Sequence, residues 1–509
     1  MSAPLSDFPG GLKLPGHKKR STQGPIRKTP LSKQLVLPLQ QHIGAAAVPI
    51  VDVGEKVLKG QRIARAEGHV SVCLHAPSSG VITAIGDHAI PHPSGLSAPC
   101  ITIETDGEDQ WVERQQIADF RQHSAHELRQ IIRDAGIVGL GGAGFPSFIK
   151  LNPGVHHTVE TLLINGAECE PYITCDDMLM RERAEGILDG VEIMLFALRA
   201  ARCILAIEDN KPEAIAAMRF ALSARTHLTQ TEIVVVPTRY PTGGEKQLIQ
   251  VVTGKQVPTN KLPIDIGIVC HNPGTAYAVG RAILHGEPLI SRVVTVTGTD
   301  VTHAGNFETL FGTPIKDLLE FCETRRQPDE PFIQGGPMMG YSLAGDDLPI
   351  TKTANCILVG VDDVAPPAQP LPCIRCGDCA DVCPASLLPQ QLYWYSRAKD
   401  FDQTRDYNLF DCIECGCCDY VCPSKIPLVS YFRFAKTEIM NQERERHKSD
   451  LARERHESRL ARLEREQQEK EERQRQRKAA LAASKAAKAK EEESTKTSES
   501  ADSVTEEKA

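Results

Sequence analysis

Two stretches of the sequence share one cysteine pattern, CIRCGDCADVCP at residues 373–384 and CIECGCCDYVCP at residues 412–423. Each reads C-x-x-C-x-x-C-x-x-x-C-P, the run with which bacterial proteins hold four-iron, four-sulfur (4Fe–4S) clusters. The short loop wraps three thiols around one cluster, and the glycines at 377 and 416 allow close backbone approach. Structural zinc sites pair two C-x-x-C knuckles across a longer gap, so zinc or a plain thiol cluster is the alternative.

The fourth cysteine of each run is predicted to bind the cluster of the other run. A proline follows it, Pro384 or Pro423, and turns the chain away from the first three ligands. Cluster 1 is therefore assigned to Cys373, Cys376, Cys379 and Cys422. Cluster 2 is assigned to Cys412, Cys415, Cys418 and Cys383. Cys417 is one thiol too many, and we interpret it as a non-ligand.

Length and composition predict a soluble protein of several domains. The chain has 509 residues, of which 41% are apolar and 24% charged, and two to four domains are expected. The formal charge of −8 gives no indication of nucleic-acid binding. No uninterrupted apolar run reaches about 18 residues, so no transmembrane segment is predicted, and the start lacks the apolar core of a signal peptide. The 17 cysteines are expected to be reduced, as in a cytosolic protein.

The fold class predicted from the patterns is a multidomain mixture of α/β and α+β modules. Residues 1–35 predict an irregular arm whose basic residues are either solvated surface or a docking patch. Short alternating strands at 36–105 resemble the barrel-sandwich hybrid of lipoyl and biotinyl domains. The tip segment AEGHVSVCLH (66–75) lacks the carrier lysine, so we expect the fold without the swinging-arm function.

Further along the chain, helices and strands alternate between residues 120 and 290, which is typical of an α/β sheet flanked by helices. Within it we predict a strand at TLLING (161–166), a long helix from about Asp177 and a strand at DIGIVC (265–270). The remaining predicted segments are a small β-grasp-like module at 291–345, a proline-rich linker at 364–372, a double-cluster domain at 364–436, and a charged tail at 437–509 that is helical and then disordered.

A glycine-rich turn, GLGGAGFPSFIK (139–150), is the first candidate for a phosphate site. Glycines allow exposed N–H groups to surround a phosphate, and Lys150 adds a cation, although such a turn is often only a turn. INGAECEP (164–171) places polar side chains at the end of a strand, where open sheets bind ligands. Two further segments, YPTGGEKQ (240–247) and CHNPGT (270–275), contain additional glycines and polar side chains that could take part in the same site. Carboxylates there could bind ribose hydroxyls or a nicotinamide amide.

These segments resemble the flavin- and NADH-binding subunit of respiratory complex I. The resemblance implies bound FMN and NADH as substrate, with no catalytic acid or base, because hydride transfer to flavin needs none. Leu140 and His271 depart from that family's pattern. The positions that match its binding segments are Gly139, Gly141, Gly142, Gly144, Lys150, Asn165, Glu168, Glu170, Gly243, Glu245, Asn272 and Thr275.

The order of all modules, over residues 8–436, is similar to that of the C subunits of Rnf (Rsx) ion-translocating electron transport complexes. The order includes the segments GGLKLPGHK (10–18) and GGPMMG (335–340). The resemblance implies a translocase-type oxidoreductase component, peripheral on the cytoplasmic side of the bacterial inner membrane. It would pass electrons between NAD(H) and a ferredoxin-type carrier, through flavin and two 4Fe–4S clusters, and other subunits would move the ions.

Two alternatives remain open from the sequence. One is a soluble flavin and iron–sulfur reductase with the same modules, such as a cobalamin reductase. The other is an electron-wire protein that binds no flavin.

Overall fold

A computed structural model describes residues 5–154, 157–325, 331–343, 345–361 and 369–502. The chain divides into two compact units, Met1–Arg433 and Phe434–Ala509. Residues 364–368 of the predicted linker lie outside the described residues. Among the described residues, no helix is both long enough and apolar enough to cross a membrane.

Eight short strands form the N-terminal part of the first unit. They are β1 (Arg27–Lys28), β2 (Gln34–Pro38), β3 (Val48–Pro49), β4 (Lys56–Val57), β5 (Arg62–Arg65), β6 (Leu74–His75), β7 (Gly80–Ala89) and β8 (Ser97–Thr105). One sheet has the order β2-β8-β7-β4 and another the order β3-β5-β6. Buried side chains of both sheets, among them Leu35, Ile63 and Ile101, belong to one apolar core. The segment predicted to be a barrel-sandwich hybrid thus forms two sheets around one core.

An α/β region follows. Its helices are α1 (Ala125–Asp134), α2 (Ser147–Lys150), α3 (Cys175–Glu182), α4 (Ala184–Leu198), α5 (Pro212–Ser223), α6 (Glu245–Thr253) and α7 (Pro273–His285). Its strands are β9 (Thr161–Gly166), β10 (Arg202–Glu208), β11 (Thr231–Val236) and β12 (Ile268–His271). The strands are parallel, in the order β11-β10-β9-β12. Their carboxyl ends therefore share one edge, where the predicted polar segments begin.

Two predicted elements of this region differ from the structure. The long helix from Asp177 is instead two helices, because Arg183 between them has a non-helical backbone. The separate α4 packs so closely on α7 that a Cβ on Gly190 would lie 1.7 Å from the carbonyl oxygen of Ala276. The strand predicted at 265–270 begins only at Ile268, because Pro263–Ile266 form a 3-10 turn that ends at left-handed Gly267.

A mixed sheet follows the α/β region. It contains β13 (Ser291–Thr297), β14 (Gly305–Leu310), β15 (Phe332–Gln334), β16 (Tyr341–Leu343) and β17 (Cys356–Leu358), with α8 (Ile315–Phe321) packed against it. The strand order is β1-β14-β13-β17-β15-β16. The module therefore extends past the predicted end at residue 345, because the buried strand β17 pairs with both β13 and β15.

The N-terminal arm is an ordered part of the first unit. Its strand β1 forms an edge of the mixed sheet by pairing with β14. The Nζ of Lys18 donates hydrogen bonds to the carbonyl oxygens of Glu168, Glu170 and Ile173, at 2.7, 3.1 and 2.6 Å. Burial lowers the pKa of Lys18. The interpretation of the basic residues as solvated surface therefore fails at Lys18, because its ammonium group is bound to three backbone carbonyls.

The cysteine repeats lie among short helices, α9 (Asp378–Asp381), α10 (Pro389–Ala398), α11 (Phe401–Asp406) and α12 (Cys417–Val421). The last helix, α13 (Leu428–Asp502), runs into the second unit. Every residue from 441 to 494 is exposed, as its charged composition predicts. Residues 503–509, where the disordered end was predicted, lie outside the described residues.

Lys352 connects three modules of the first unit. Its backbone N–H donates to the Oε1 of Gln41 at 3.0 Å, and its carbonyl accepts from Arg292. Its Nζ donates to the carbonyl oxygens of Gly136 at 2.6 Å and Cys73 at 3.5 Å. The side chain is fully buried, and burial lowers the pKa of Lys352 to about 7.

Replacement of this lysine should change how stability depends on pH. The pKa of Lys352 in the folded protein lies below the ordinary lysine value of about 10.4, so between the two values the unfolded chain binds the extra proton. Stability should rise with pH in that window by up to roughly 1.4 kcal/mol per pH unit. We expect Lys352→Met to flatten this rise of stability with pH. The measurement is the urea concentration at the unfolding midpoint, determined between about pH 7 and pH 10. The exposed control Lys28→Met should retain the rise, and equal slopes in both variants would contradict the assignment.

Candidate cofactor-binding sites

Each of two small cavities in the cysteine region is lined by four of the predicted cluster ligands. The first cavity is lined by Cys373, Cys376, Cys379 and Cys422. The second is lined by Cys383, Cys412, Cys415 and Cys418, with Cys417 beside them. In both, the fourth thiol comes from the other repeat. Four thiols around one enclosed space are a donor set that fits a 4Fe–4S cluster.

The two repeats also share their backbone conformation. Gly377 and Gly416 have φ angles of +96° and +77°, in the left-handed region that favours glycine. The residues just before the second cysteine of each run, Arg375 and Glu414, both have a φ of +58°. A short helix then begins in each repeat, α9 in one and α12 in the other. The repeated sequence therefore folds into the same loop twice, which we name loop 1 (373–379) and loop 2 (412–418).

Loop 2 packs against the α/β region. The Tyr240 hydroxyl donates a 2.6 Å hydrogen bond to the carbonyl oxygen of Cys415. Both residues form a small apolar cluster with the fully buried Cys417, and Ile413 packs against that cluster. A Cβ on Gly416 would lie 2.6 Å from the carbonyl oxygen of Met338, which belongs to the GGPMMG segment. Glycine is therefore required at 416 by its neighbour as well as by its backbone.

The glycine-rich turn lies beside the start of α7. Leu140 N–H donates to the Thr275 hydroxyl at 2.9 Å, and a Cβ on Gly141 would touch the side chain of Asn272. Asn272 caps α7 by accepting from the N–H of Gly274 at 2.8 Å. Gly141 and Gly142 are exposed. Exposed N–H groups beside a helix N-terminus form an environment that suits a phosphate.

The other two predicted glycines shape the turn. The N–H of Gly139 donates to the carbonyl of Phe145, and Gly144 has a φ of +63°.

Two further pairs of predicted residues meet at the same edge of the sheet. The Nζ of Lys150 donates to Glu245 at 2.7 Å and to the carbonyl oxygen of Cys270 at 3.1 Å. Burial would lower the pKa of Lys150, but Glu245 outweighs it and the pKa is raised. Asn165, at the end of β9, donates to the carbonyl oxygen of Gly243 at 2.8 Å. The predicted cation is thus held by a predicted carboxylate.

The two predicted carboxylates Glu168 and Glu170 are bound to backbone N–H groups. Glu168 accepts from Asp176 at 2.7 Å and Asp177 at 3.2 Å, at the start of α3. Glu170 accepts from Met338 at 2.7 Å and Met339 at 2.9 Å. Burial raises the pKa of Glu170. Both carboxylates hold the fold together here by accepting these backbone hydrogen bonds.

Comparison with known proteins identifies the modules of the chain. Three family models match the chain: the RnfC barrel sandwich hybrid domain over residues 6–108, the Nuo51 FMN-binding domain over 132–281, and the 4Fe–4S dicluster domain over 372–426. The solved H2-reduced NAD+-reducing NiFe-hydrogenase aligns with 58% of this chain and 59% of its own, with a TM-score of 0.46 and 20% identity.

Relatives that align with most of the chain decide the family. A Pseudomonas aeruginosa protein, named as the C subunit of the ion-translocating oxidoreductase complex, is 51% identical, over 92% of this chain and 60% of its own length. A Serratia proteamaculans protein of the same name is 50% identical, over 90% of this chain and 65% of its own. One from Yersinia pestis is 48% identical, over 90% of this chain and 74% of its own.

This chain belongs to the RnfC family, the C subunits of ion-translocating oxidoreductase complexes. It spans 60% and 65% of the length of the first two relatives. The matches confirm the predicted family, the mixed fold class and the cofactor classes, namely FMN and two 4Fe–4S clusters.

Sequence reasoning missed Asp176, which in this RnfC family member is hydrogen-bonded to two of the predicted flavin-site residues, Asn272 and Glu168. Its carboxylate accepts from Asn272 at 2.6 Å, and its backbone N–H binds Glu168. Burial, followed by the charge of Glu168, raises the pKa of Asp176 to about 7. The segment TCDDM (174–178) gave no signal, because two acidic residues at a helix start usually serve only as caps. A cavity of about 500 Å³ opens beside Asp176 and Leu140, and none of the twelve predicted flavin-site residues lines it.

The two loop glycines allow a matched test of loop 2 packing. Alanine at position 377 or 416 should lower the free energy of unfolding by about 1–2 kcal/mol, because both positions have a left-handed backbone that alanine disfavours. Gly416→Ala should cost at least about 1 kcal/mol more than Gly377→Ala, because only its Cβ would overlap Met338. The measurement is the unfolding midpoint of the iron-loaded protein under anaerobic conditions. Equal destabilisation by the two variants would contradict the packing.

Proposed function

We propose that this chain is an electron-transfer subunit in which a flavin-binding domain exchanges electrons with two 4Fe–4S clusters. The observation that carries the proposal is the contact between Tyr240 and loop 2, because it joins the α/β region directly to one set of four thiols. Electrons would enter from NADH, or leave to NAD+, and the other end of the path would be a ferredoxin-type carrier or other subunits of the complex.

The proposed cluster ligands follow the two cavities. Cys373, Cys376, Cys379 and Cys422 would hold cluster 1, and Cys383, Cys412, Cys415 and Cys418 would hold cluster 2. This assignment is supported by the lining of the cavities, because in each set of four thiols one cysteine belongs to the other repeat. Cys417 is fully buried and is a fifth thiol beside the four that complete the set of cluster 2, so we propose it as a non-ligand.

For the flavin, we propose that the glycine-rich turn binds the phosphate. The exposed Gly141 and Gly142 would supply backbone N–H groups, and Gly139 and Gly144 would shape the turn around them. The start of α7, capped by Asn272 and linked by Thr275, would add its positive end. The remaining predicted residues would orient the ring and the NADH: Lys150, Asn165, Glu168, Glu170, Gly243 and Glu245. Bound flavin takes a hydride and releases electrons singly, and these residues need only position it.

We propose the following division of labour. The segments at 1–35, 36–105 and 291–345 would be structural, 120–290 would bind flavin and NADH, 364–436 would hold the clusters, and 437–509 would be a charged tail. The protein would sit peripherally on the cytoplasmic side of the inner membrane, held by partner subunits that move ions. The family to which the chain belongs supports this location.

The absorption spectrum and iron content of anaerobically purified protein test the proposal. We expect flavin bands together with about eight iron and eight sulfide per chain, as two four-iron clusters require. Iron without flavin would indicate the electron-wire alternative. Stoichiometric zinc with little iron would reject the cluster assignment altogether.

Single cysteine replacements test which thiols share a cluster. We expect Cys383→Ser to damage cluster 2, because that thiol lines the cavity of loop 2, whereas Cys376→Ser should damage cluster 1. Paramagnetic resonance of partly loaded protein can separate the two cluster signals, and total iron serves as the control for unfolding of the region. Loss of the same signal in both variants would mean that each loop binds its own cluster.

A further inference from the structure

The two cysteine loops have the same backbone but different surroundings. Ile413 of loop 2 is partly buried against the cluster of Tyr240, Cys415 and Cys417. Its counterpart in loop 1, Ile374, is 68% exposed. Both isoleucines also line their own thiol cavity. The difference therefore lies in what covers the outside of each loop.

The glycines of the two loops repeat this contrast. The position of a Cβ on Gly416 is occupied by the carbonyl of Met338, whereas a Cβ on Gly377 would meet no described atom within 4 Å. Cys415 is buried, whereas its counterpart Cys376 is exposed. Among the described residues, loop 2 is thus covered by the α/β region and the GGPMMG segment, while the outer side of loop 1 is open.

The open side of loop 1 is apolar for an exposed surface. Leu371 is 63% exposed and lies three residues before Ile374 in the chain, and Cys376 is exposed as well. Leu371 is held in place by a 2.9 Å hydrogen bond from its N–H to the carbonyl of Ser424. Exposed apolar side chains grouped around a functional group are typical of a protein interaction site. We name Leu371, Ile374 and Cys376 the loop 1 surface.

We propose that the loop 1 surface docks a one-electron redox domain, bearing an iron–sulfur cluster or a flavin, of another subunit of the same complex. The occupant is inferred from the repeat, because the equivalent surface of loop 2 is already covered by a domain of that chemistry, the flavin-binding region. The inference rests on the proposed function. It makes loop 2 the internal side of the electron path and loop 1 its external side.

Electron transfer along this path conserves the number of electrons at every step. The thiols of loop 2 and of loop 1 would each hold a one-electron carrier, and the docked domain would be reduced by one electron received from the carrier at loop 1. Each donor is oxidised by one electron as its acceptor is reduced. No bond forms or breaks, and no proton needs to move.

Transfer from the prereduced chain to membrane vesicles tests the docking without using NADH. The full chain is reduced with dithionite, freed of excess reductant, and mixed with vesicles that contain the rest of the complex but lack this protein. Its re-oxidation is followed by the return of the iron–sulfur absorption. A parallel assay uses ferricyanide, a small acceptor that needs no docking surface.

We expect Leu371→Glu to slow re-oxidation by vesicles about tenfold, as loss of an interface anchor does, and to leave re-oxidation by ferricyanide unchanged. Phe220→Glu is the matched control, since Phe220 is 79% exposed on α5, far from either loop in sequence. Leu371→Ser provides a second, milder variant of the loop 1 surface should Leu371→Glu lose iron. Association with the vesicles, measured by co-sedimentation, should weaken in parallel with the rate.

Unchanged re-oxidation in both loop 1 variants would overturn the docking proposal and leave the proposed function intact. Equal slowing by Phe220→Glu would also overturn it, because the effect would not be specific to loop 1. Failure of the unmodified chain to reduce the vesicles at all would overturn both proposals. A chain that passes its electrons to vesicles but cannot be reduced by NADH would support the docking surface and reject NADH as the substrate.

Discussion

The hydrogen bond from the Tyr240 hydroxyl to the carbonyl oxygen of Cys415 is the contact on which the arrangement of the cofactor sites depends. Tyr240 is 3% exposed, so its hydroxyl requires a partner, and burial raises the pKa of this phenol far above its usual range. The backbone of Tyr240 is fixed in turn by two hydrogen bonds with Leu12 of the N-terminal arm. The arm, the α/β region and loop 2 are therefore joined at one residue.

Buried charges hold the neighbouring edge of the sheet in place. The Nζ of Lys211 donates to the carbonyl of Ala167 at 2.5 Å and to Glu208 at 3.0 Å, and both charged side chains are fully buried. Lys18 binds the carbonyls a few residues further along. Buried ion pairs add little net stability, since desolvation offsets their attraction. Their effect here is to fix the backbone between 167 and 173, which carries Glu168 and Glu170.

Local patterns in the sequence were sufficient for the cysteine loops and for most of the α/β region. The spacing of the thiols predicts the loops because all of its determinants lie within about twelve residues, and β9 was predicted with its observed bounds for the same reason. The strand β17, the role of Lys18 and the interruption at Arg183 could not be predicted. Each depends on partners far away in the sequence, or on a close helix contact that only the folded chain contains.

The candidate flavin site was predictable as a group of residues but not in its internal bonding. Sequence can place Glu168 and Glu170 at the end of a strand, but it cannot distinguish a carboxylate that awaits a ligand from one already bound to backbone N–H groups. The repeats illustrate the same limit. Ile374 and Ile413 occupy equivalent positions in nearly identical motifs, yet one is exposed and the other is covered. The motif determines that a loop can hold a cluster, whereas the surrounding fold determines which side of that cluster faces the protein and which faces outward.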